Sequence, residues 1–309
     1  MRERRSLWSV GRRYAAGIDV NSRGVRVVLL SRRRGVAGRA RIDALAVEPL
    51  PAGAYTGDAE GDWASVGQAL TKALERARRA GRCRVSRAVM ALPEAALTVA
   101  SVELGAAGLR AEPIVLAAAE QVTGLARDTL ACDWRPGEAG AATFAAAARA
   151  QVDARLEAAA AAGVALTAID GDTFAAMRAL RLVLAREAPG CTPCLAMWIG
   201  DGGVHGWLVD NGRVIEAISY PTPEHADLAD ALRDLARTGA PVHALVGGEI
   251  GEPGGARLAL ADLADLLGCE ARPFGCVSLC EPGWPVDEAL ARDPGFAVAV
   301  GLALRGVDE

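Results

Sequence analysis

The sequence predicts an α/β fold of two similar halves, the second reduced, with a small subdomain inserted between them. Three observations carry this reading. The order strand, strand, strand, helix, strand occurs twice along the 309 residues, and each occurrence opens with a short polar turn between apolar strands. The first turn and its flanks, Asp19-Val20-Asn21-Ser22-Arg23-Gly24-Val25, align without gaps on Trp198-Ile199-Gly200-Asp201-Gly202-Gly203-Val204. A supersecondary unit repeated in this way marks a duplicated architecture.

The elements divide the chain into five stretches. Residues 1–14 form a basic segment (Arg2, Arg4, Arg5, Arg12, Arg13) that lacks the long apolar core of a signal peptide. It reads as a frayed start, with contact to an anionic membrane surface as the alternative. Residues 15–97 make the first half. Ala15–Val20, Val25–Leu30 and Arg39–Val47 are strands by their β-branched content, and Asn21 to Gly24 supply the turn. Val66, Leu70, Ala73, Leu74 and Ala77 share one face of a helix that Gly81 ends, and the strand Ala88–Leu92 stops at Pro93. Residues 98–150 are the insertion: strand Thr98–Leu104, helix Pro113–Arg127, an irregular segment, and strand Thr143–Ala150. Residues 151–190 return to the first half through helix Val152–Ala162, strand Val164–Ile169 and a helix with Asp172 as N-cap.

Residues 191–309 repeat the unit. Leu195–Ile199, Val204–Val209 and Val214–Ser219 are strands around the Gly200–Gly203 turn. Leu228, Ala231, Leu232 and Leu235 mark a helix, Ala244–Val246 a strand leaving through Gly247-Gly248, and Leu258, Leu263, Leu266 and Leu267 a helix closed by Gly268.

Composition narrows the function. A hydrophobic content of 51% supplies a large core, and a net charge of −4 is mild, so nothing global points to nucleic acid. No apolar run reaches about 18 residues, so a spanning helix is not expected. The seven cysteines include Cys191-x-x-Cys194 and Cys276-x₃-Cys280, but Cys194 leads directly into a strand, so buried or incidental thiols are favoured over a metal or redox pair. His205, His225 and His243 are scattered, and Asp262 with Asp265 forms the polar face of a leucine-rich helix, so no catalytic constellation emerges. Trp134, Trp284 and Tyr220 are candidates to line a peptide groove or to anchor core and loops.

Two halves facing each other with their polar hairpins in the cleft is the layout of the actin, hexokinase and Hsp70 superfamily, in which backbone N–H groups of the hairpins cradle phosphate. On that layout the candidate cofactor-binding residues are Asp19, Asn21 and Ser22 in the first hairpin, Gly200, Asp201 and Gly202 in the second, and Gly247, Gly248 and Glu249 at the later strand exit. Asp19 either orders a Mg²⁺-bound water or caps its own turn. Gly247-Gly248 either meets a nucleotide base or is simply a tight strand exit.

The ordered motifs Gly17-Ile18-Asp19-Val20, Ala91-Leu92-Pro93, Val99 to Leu104, Ala118-Ala119-Glu120-Gln121, Ala147-Ala148-Arg149, Ile169-Asp170 and Gly301 to Arg305 resemble the PilM family of pilus assembly proteins. The resemblance implies an actin-like (RNase H-like) fold related to FtsA, with a displaced subdomain that residues 98–150 would form. It implies a cytoplasmic protein at the inner-membrane face that holds the cytosolic tail of a PilN-like membrane protein and contacts the pilus alignment complex. The family also binds ATP. This chain departs from the family at Trp198, where a carboxylate is usual, at Pro221-Thr222-Pro223, where a Gly-Gly turn is usual, and in the missing insertion of the second half. The expectation is therefore a scaffold, not an enzyme, with ATP/Mg binding doubtful and hydrolysis lost. A nucleotide-gated version of the same protein is the alternative, and a small-molecule kinase or phosphatase the third reading.

Overall fold

A computed structural model gives the fold over residues 11–33, 40–83, 85–104, 111–221, 228–250, 259–283 and 286–308. Strands β1 (Arg12–Asn21), β2 (Gly24–Arg33) and β3 (Arg41–Pro49) run antiparallel, and Ala15 to Val20 and Gly24 to Ser31 are buried throughout. Strands covered on both faces need this continuous apolar run rather than alternation. Helix α1 (Trp63–Gly81) starts where Asp62 accepts from the Ser65 N–H, and ends where Arg82 turns left-handed. Its stripe of Val66, Leu70, Ala73, Leu74 and Ala77 lies on β2 and β3. Full burial of Leu70 and Leu74 contributes about 1.5–3 kcal/mol each.

Strand β4 (Arg87–Leu92) pairs parallel with β1, and β8 (Ala165–Gly171) pairs parallel with β4, giving the order β3-β2-β1-β4-β8. The second half builds β9 (Cys194–Gly200), β10 (Gly203–Asp210), β11 (Arg213–Pro221), β12 (His243–Gly248) and β13 (Glu270–Pro273) into the order β11-β10-β9-β12-β13. The two sheets match strand for strand. In register, Asp19 lies opposite Arg26, and Trp198, its counterpart, lies opposite His205.

Between β5 (Thr98–Glu103) and β7 (Ala141–Ala148) the chain adds helix α2 (Ala111–Thr123) and strand β6 (Leu130–Pro136), and the three strands form a separate sheet ordered β5-β7-β6. Phe144, Val115, Ala119 and Leu130 give this sheet its own core. The expected irregular segment thus contains a strand. β6 is an edge strand with little buried surface, so Cys132-Asp133-Trp134-Arg135 shows no apolar alternation. The same applies to β13, four residues carrying Glu270 and Arg272 on the edge of the second sheet. Helix α3 (Arg149–Ala161) begins at residues expected to end β7.

Two helices lie between the large sheets. α4 (Asp172–Glu187) packs on β9 and β12, and α8 (Ala297–Asp308) on β1, β2 and β4. They cross at backbone contact: a Cβ on Gly301 would lie 1.8 Å from the carbonyl oxygen of Ala175. The remaining helices are α5 (Leu228–Gly239), α6 (Leu260–Leu267, closed by left-handed Gly268) and the short α7 (Glu288–Ala291). Residues 1–10, Thr222-Pro223, His225, Leu258 and Trp284 lie outside the described residues. Among the described residues no helix is long and apolar enough to cross a membrane.

Gly301→Ala is expected to destabilise the fold by about 3 kcal/mol or more, since backbone must move to admit the methyl group. Urea denaturation measures this, and an unchanged midpoint would remove the crossing as a constraint.

Candidate functional site

The first hairpin is held by Asn21, whose Oδ1 accepts from the backbone N–H groups of Arg23 (3.1 Å) and Gly24 (3.2 Å). Asp19 therefore does not cap its turn. It is 6% exposed, points into the cleft between the halves and makes no hydrogen bond among the described residues. Burial pushes its carboxyl up to about 7; the Arg26 guanidinium pulls the other way, and the charges of Asp172, Glu249 and Asp201 add to the rise.

The two hairpins grip each other. The Ser22 N–H donates to Asp201 Oδ2 at 2.8 Å and its hydroxyl to Oδ1 at 2.9 Å. Below them Glu249 receives Arg26 (Nη2 to Oε1, 2.9 Å) and Arg23 (Nη1 to Oε2, 3.3 Å). Asp19, Asn21, Ser22, Gly200, Asp201, Gly202, Gly248 and Glu249 all line one cleft of about 370 Å³. Gly247 does not. A Cβ there would meet Ala297 of α8 at 3.0 Å, so Gly247 packs against the core. Gly248 has φ +94° and presses on the Ile199 carbonyl, as a tight strand exit requires.

Trp198 occupies the position equivalent to Asp19 and folds back over Gly200, where a Cβ would lie 2.4 Å from the indole. Its ring stacks on His205 (5.4 Å between centroids), which stacks in turn on Trp207 (6.1 Å). Burial pushes the His205 imidazole below its usual range, although Glu94 Oε2 lies 3.1 Å from Nε2. Asp172 is the first residue of α4, not the cap before it. Its Oδ1 accepts from the N–H groups of Glu94 (3.0 Å) and Thr173 (2.7 Å), and burial pushes its carboxyl up to about 6.

The sequence reading missed the group that supports the cleft floor. Arg155 is fully buried on neutral acceptors: the Ala91 carbonyl (2.8 Å), the Gln151 carbonyl (2.8 Å) and side chain (2.6 Å), and the Tyr55 hydroxyl (3.2 Å), with its guanidinium 5.0 Å from the Trp63 ring. The signal was Gln151 and Arg155 one turn apart in an otherwise alanine-rich helix. Against a triphosphate the cleft sets the carboxylates of Asp19, Asp172, Asp201 and Glu249, and the Ser22 donors already hold Asp201. No cluster of three His, Cys, Asp or Glu among the described residues could hold a metal ion.

A second concavity runs beside the three-stranded sheet. One part, about 900 Å³, lies between Trp134 and Phe144 of the sheet, Phe174, Met177 and Arg181 of α4, and the end of α8. The other, about 440 Å³, lies between alanines 145–147 of β7 and Val152, Leu156 and Ile169. Asp133, Ala145 and Arg305 line both, so the two parts are continuous. Phe174 (43%), Leu156 (43%) and Val99 (45%) stay exposed along it. Where the parts meet, Asp170 receives Arg178 on one oxygen and Arg305 on the other, each at 2.9 Å. Trp134 thus lines this groove, whereas Tyr220 packs on the core of the second half.

A family model described as type IV pilus assembly protein PilM matches residues 17–197, more than half of the chain. The chain belongs to the PilM family. A solved PilM–PilN type IV pilus biogenesis complex is similar in structure, with TM-score 0.67, 20% identity, and coverage of 96% of this chain and 99% of that one. More distant are the cytoplasmic domain of EpsL from Vibrio cholerae (TM-score 0.46, 14% identity, 86% and 92% covered) and EutJ from Carboxydothermus hydrogenoformans (0.44, 13%, 94% and 89%). Comparison with curated proteins gives no match. The duplicated sheets with a cleft between them are the actin-like fold.

Asp19 binds its proton more tightly folded, at about 7, than at its ordinary 3.8. Its contribution to folding is therefore complete below about pH 4 and is lost as pH rises toward about 7. Asp19→Asn is expected to raise stability by a few kcal/mol at pH 8 and very little at pH 4. Thermal melts across this range test it; equal shifts at both pH values would place the carboxylate in contact with solvent.

Proposed function

We propose that this PilM-family protein is a cytoplasmic scaffold at the inner-membrane face, holding the cytosolic tail of a PilN-like membrane protein in the groove beside the three-stranded sheet. The observation that carries the reading is that groove. It is continuous, floored by the small side chains of β7, and bordered by the exposed apolar residues Phe174 and Leu156. Alanines on a groove floor leave room for the bulky apolar anchors of an extended peptide. The PilM–PilN complex supplies the partner class, and contact with a pilus alignment complex would follow from it.

Nucleotide hydrolysis is lost on this reading. An anion entering the cleft would have to displace Asp201 from Ser22 and face Asp19 and Asp172, and Trp198 stands where the family's usual carboxylate would help hold Mg²⁺. A nucleotide-gated assembly factor is the second reading, and one observation favours it: Asp19 still points unbonded into the cleft, where it would suit a hydrated Mg²⁺. A kinase or phosphatase of the same superfamily would need an acidic group at Trp198.

Phe174→Glu and Leu156→Asp are each expected to weaken binding of the partner's cytosolic tail at least tenfold while the melting temperature stays unchanged. Fluorescence anisotropy with the labelled tail peptide reads this, and full affinity in both variants would move the docking site elsewhere. In a separate calorimetric titration, ATP with Mg²⁺ is expected to give no binding heat. Micromolar binding abolished by Asp19→Ala would establish the nucleotide-gated reading instead.

A further inference from the structure

The end of the first sheet that lies farthest from the cleft collects arginines from three strands. Arg12 and Arg13 open β1, Arg32 and Arg33 close β2, and Arg41 opens β3. Register pairs Arg12 with Arg33 and Arg13 with Arg32, so the two-stranded tip shows arginine on both faces. Three carboxylates answer part of this charge: Asp308 takes Arg32, while Asp43 and Glu281 take Arg41. Arg12, Arg13 and Arg33 make no ion pair among the described residues, and Arg13 and Arg33 are exposed. The tip therefore keeps a positive excess on a chain whose net charge is −4. Such an asymmetric charge orients a molecule toward an anionic surface.

We propose that this arginine tip is a contact surface for the headgroups of anionic phospholipids. Arginine suits the role because its planar fork receives two phosphate oxygens at once. Several arginines spread over a rim match a laterally extended layer of single charges. The bilayer is favoured as that layer by continuity with the groove, since Arg32 and Asp308 also line it. A tail emerging from a membrane would enter the groove from the side on which the tip stands. This choice of bilayer over nucleic acid rests on the scaffold reading; the charge excess does not.

The test is cosedimentation of the full-length protein with vesicles of phosphatidylcholine containing about 30% phosphatidylglycerol, against pure phosphatidylcholine and a duplex DNA of mixed sequence. The wild type is expected to bind the anionic vesicles, to ignore the neutral ones, and to release as salt rises and shortens the screening length. Arg13 and Arg33 carry no structural pairing, so Arg13→Gln/Arg33→Gln should fold normally and bind the vesicles about 25-fold more weakly, from roughly fivefold per surface charge. Binding of the labelled tail peptide, measured on the same samples, separates the two readings. Tail binding without vesicle binding overturns the lipid surface alone, and vesicle binding without tail binding overturns the groove alone. Equal vesicle binding by the double variant, or tighter binding to DNA than to vesicles, also overturns the lipid proposal.

Discussion

The molecule is organised around the crossing of α4 and α8 between its two large sheets. Gly301 lets the helices meet backbone to backbone over Ala175, and Gly17 does the same for α8 on β1, where a Cβ would lie 2.0 Å from the Ala299 carbonyl. One apolar core then runs through both halves, from Val28 and Leu30 of β2 across α4 and α8 to Ala196 and Leu245 of the second sheet. With the helices at contact distance, the sheets have little freedom to slide, because close-packed layers transmit displacement rather than absorb it. The cleft inherits its geometry from this packing. The hairpins meet at Ser22 and Asp201 because the strands behind them are already fixed.

The ties across that cleft are unequal. Ser22 with Asp201 is an exposed hydrogen-bonded contact, worth about 1 kcal/mol net. Arg26 is 7% exposed, and its guanidinium depends on Glu249; leaving a buried charge without its partner costs about 3–5 kcal/mol. The Arg26–Glu249 pair is thus the tie that holds the first hairpin to the strand exit of the second half, and Ser22–Asp201 closes the rim. Trp198 adds to this closure from the other side. Its indole lies in the core that also holds Trp207, so the position that faces Asp19 by pseudo-symmetry is built for packing and not for charge.

Much of this was legible in the sequence, and its limits are physical. The buried strands β1, β2, β9 and β10 announce themselves because burial on both faces demands continuous Val, Ile, Leu and Met. The gapless match of the two hairpins also places Trp198 opposite His205 just as Asp19 stands opposite Arg26. The edge strands β6 and β13 did not show, since an edge needs pairing on one side only and tolerates charge. Gly247 was legible as a tight turn but not as core, because its neighbours Ala297 and Leu180 come from distant helices. Arg155 left only the faint signal of Gln151 one turn away: its other acceptors come from Ala91 and Tyr55, and arginine in an alanine-rich helix ordinarily marks a solvated face. The hairpin-to-hairpin bond was also hidden, because Asp201 beside a glycine-rich turn reads as a ligand for something else.

These features shift the emphasis from the cleft to the insertion. In a duplicated fold the cleft between halves is the default binding site, since it is where chemistry from both repeats converges. Here several of the converging groups bind one another, Ser22 with Asp201, Arg23 and Arg26 with Glu249, and Asp172 with Glu94 and Thr173, while Asp19 stays unbonded. On the scaffold reading, a ligand entering there would exchange for these contacts, and exchange yields little net free energy. The groove is the opposite case. Phe174, Leu156 and Val99 keep a little under half of their surface in water, and covering the remainder would contribute about 1 kcal/mol each. On the scaffold reading, it is beside the three-stranded sheet that binding free energy is available.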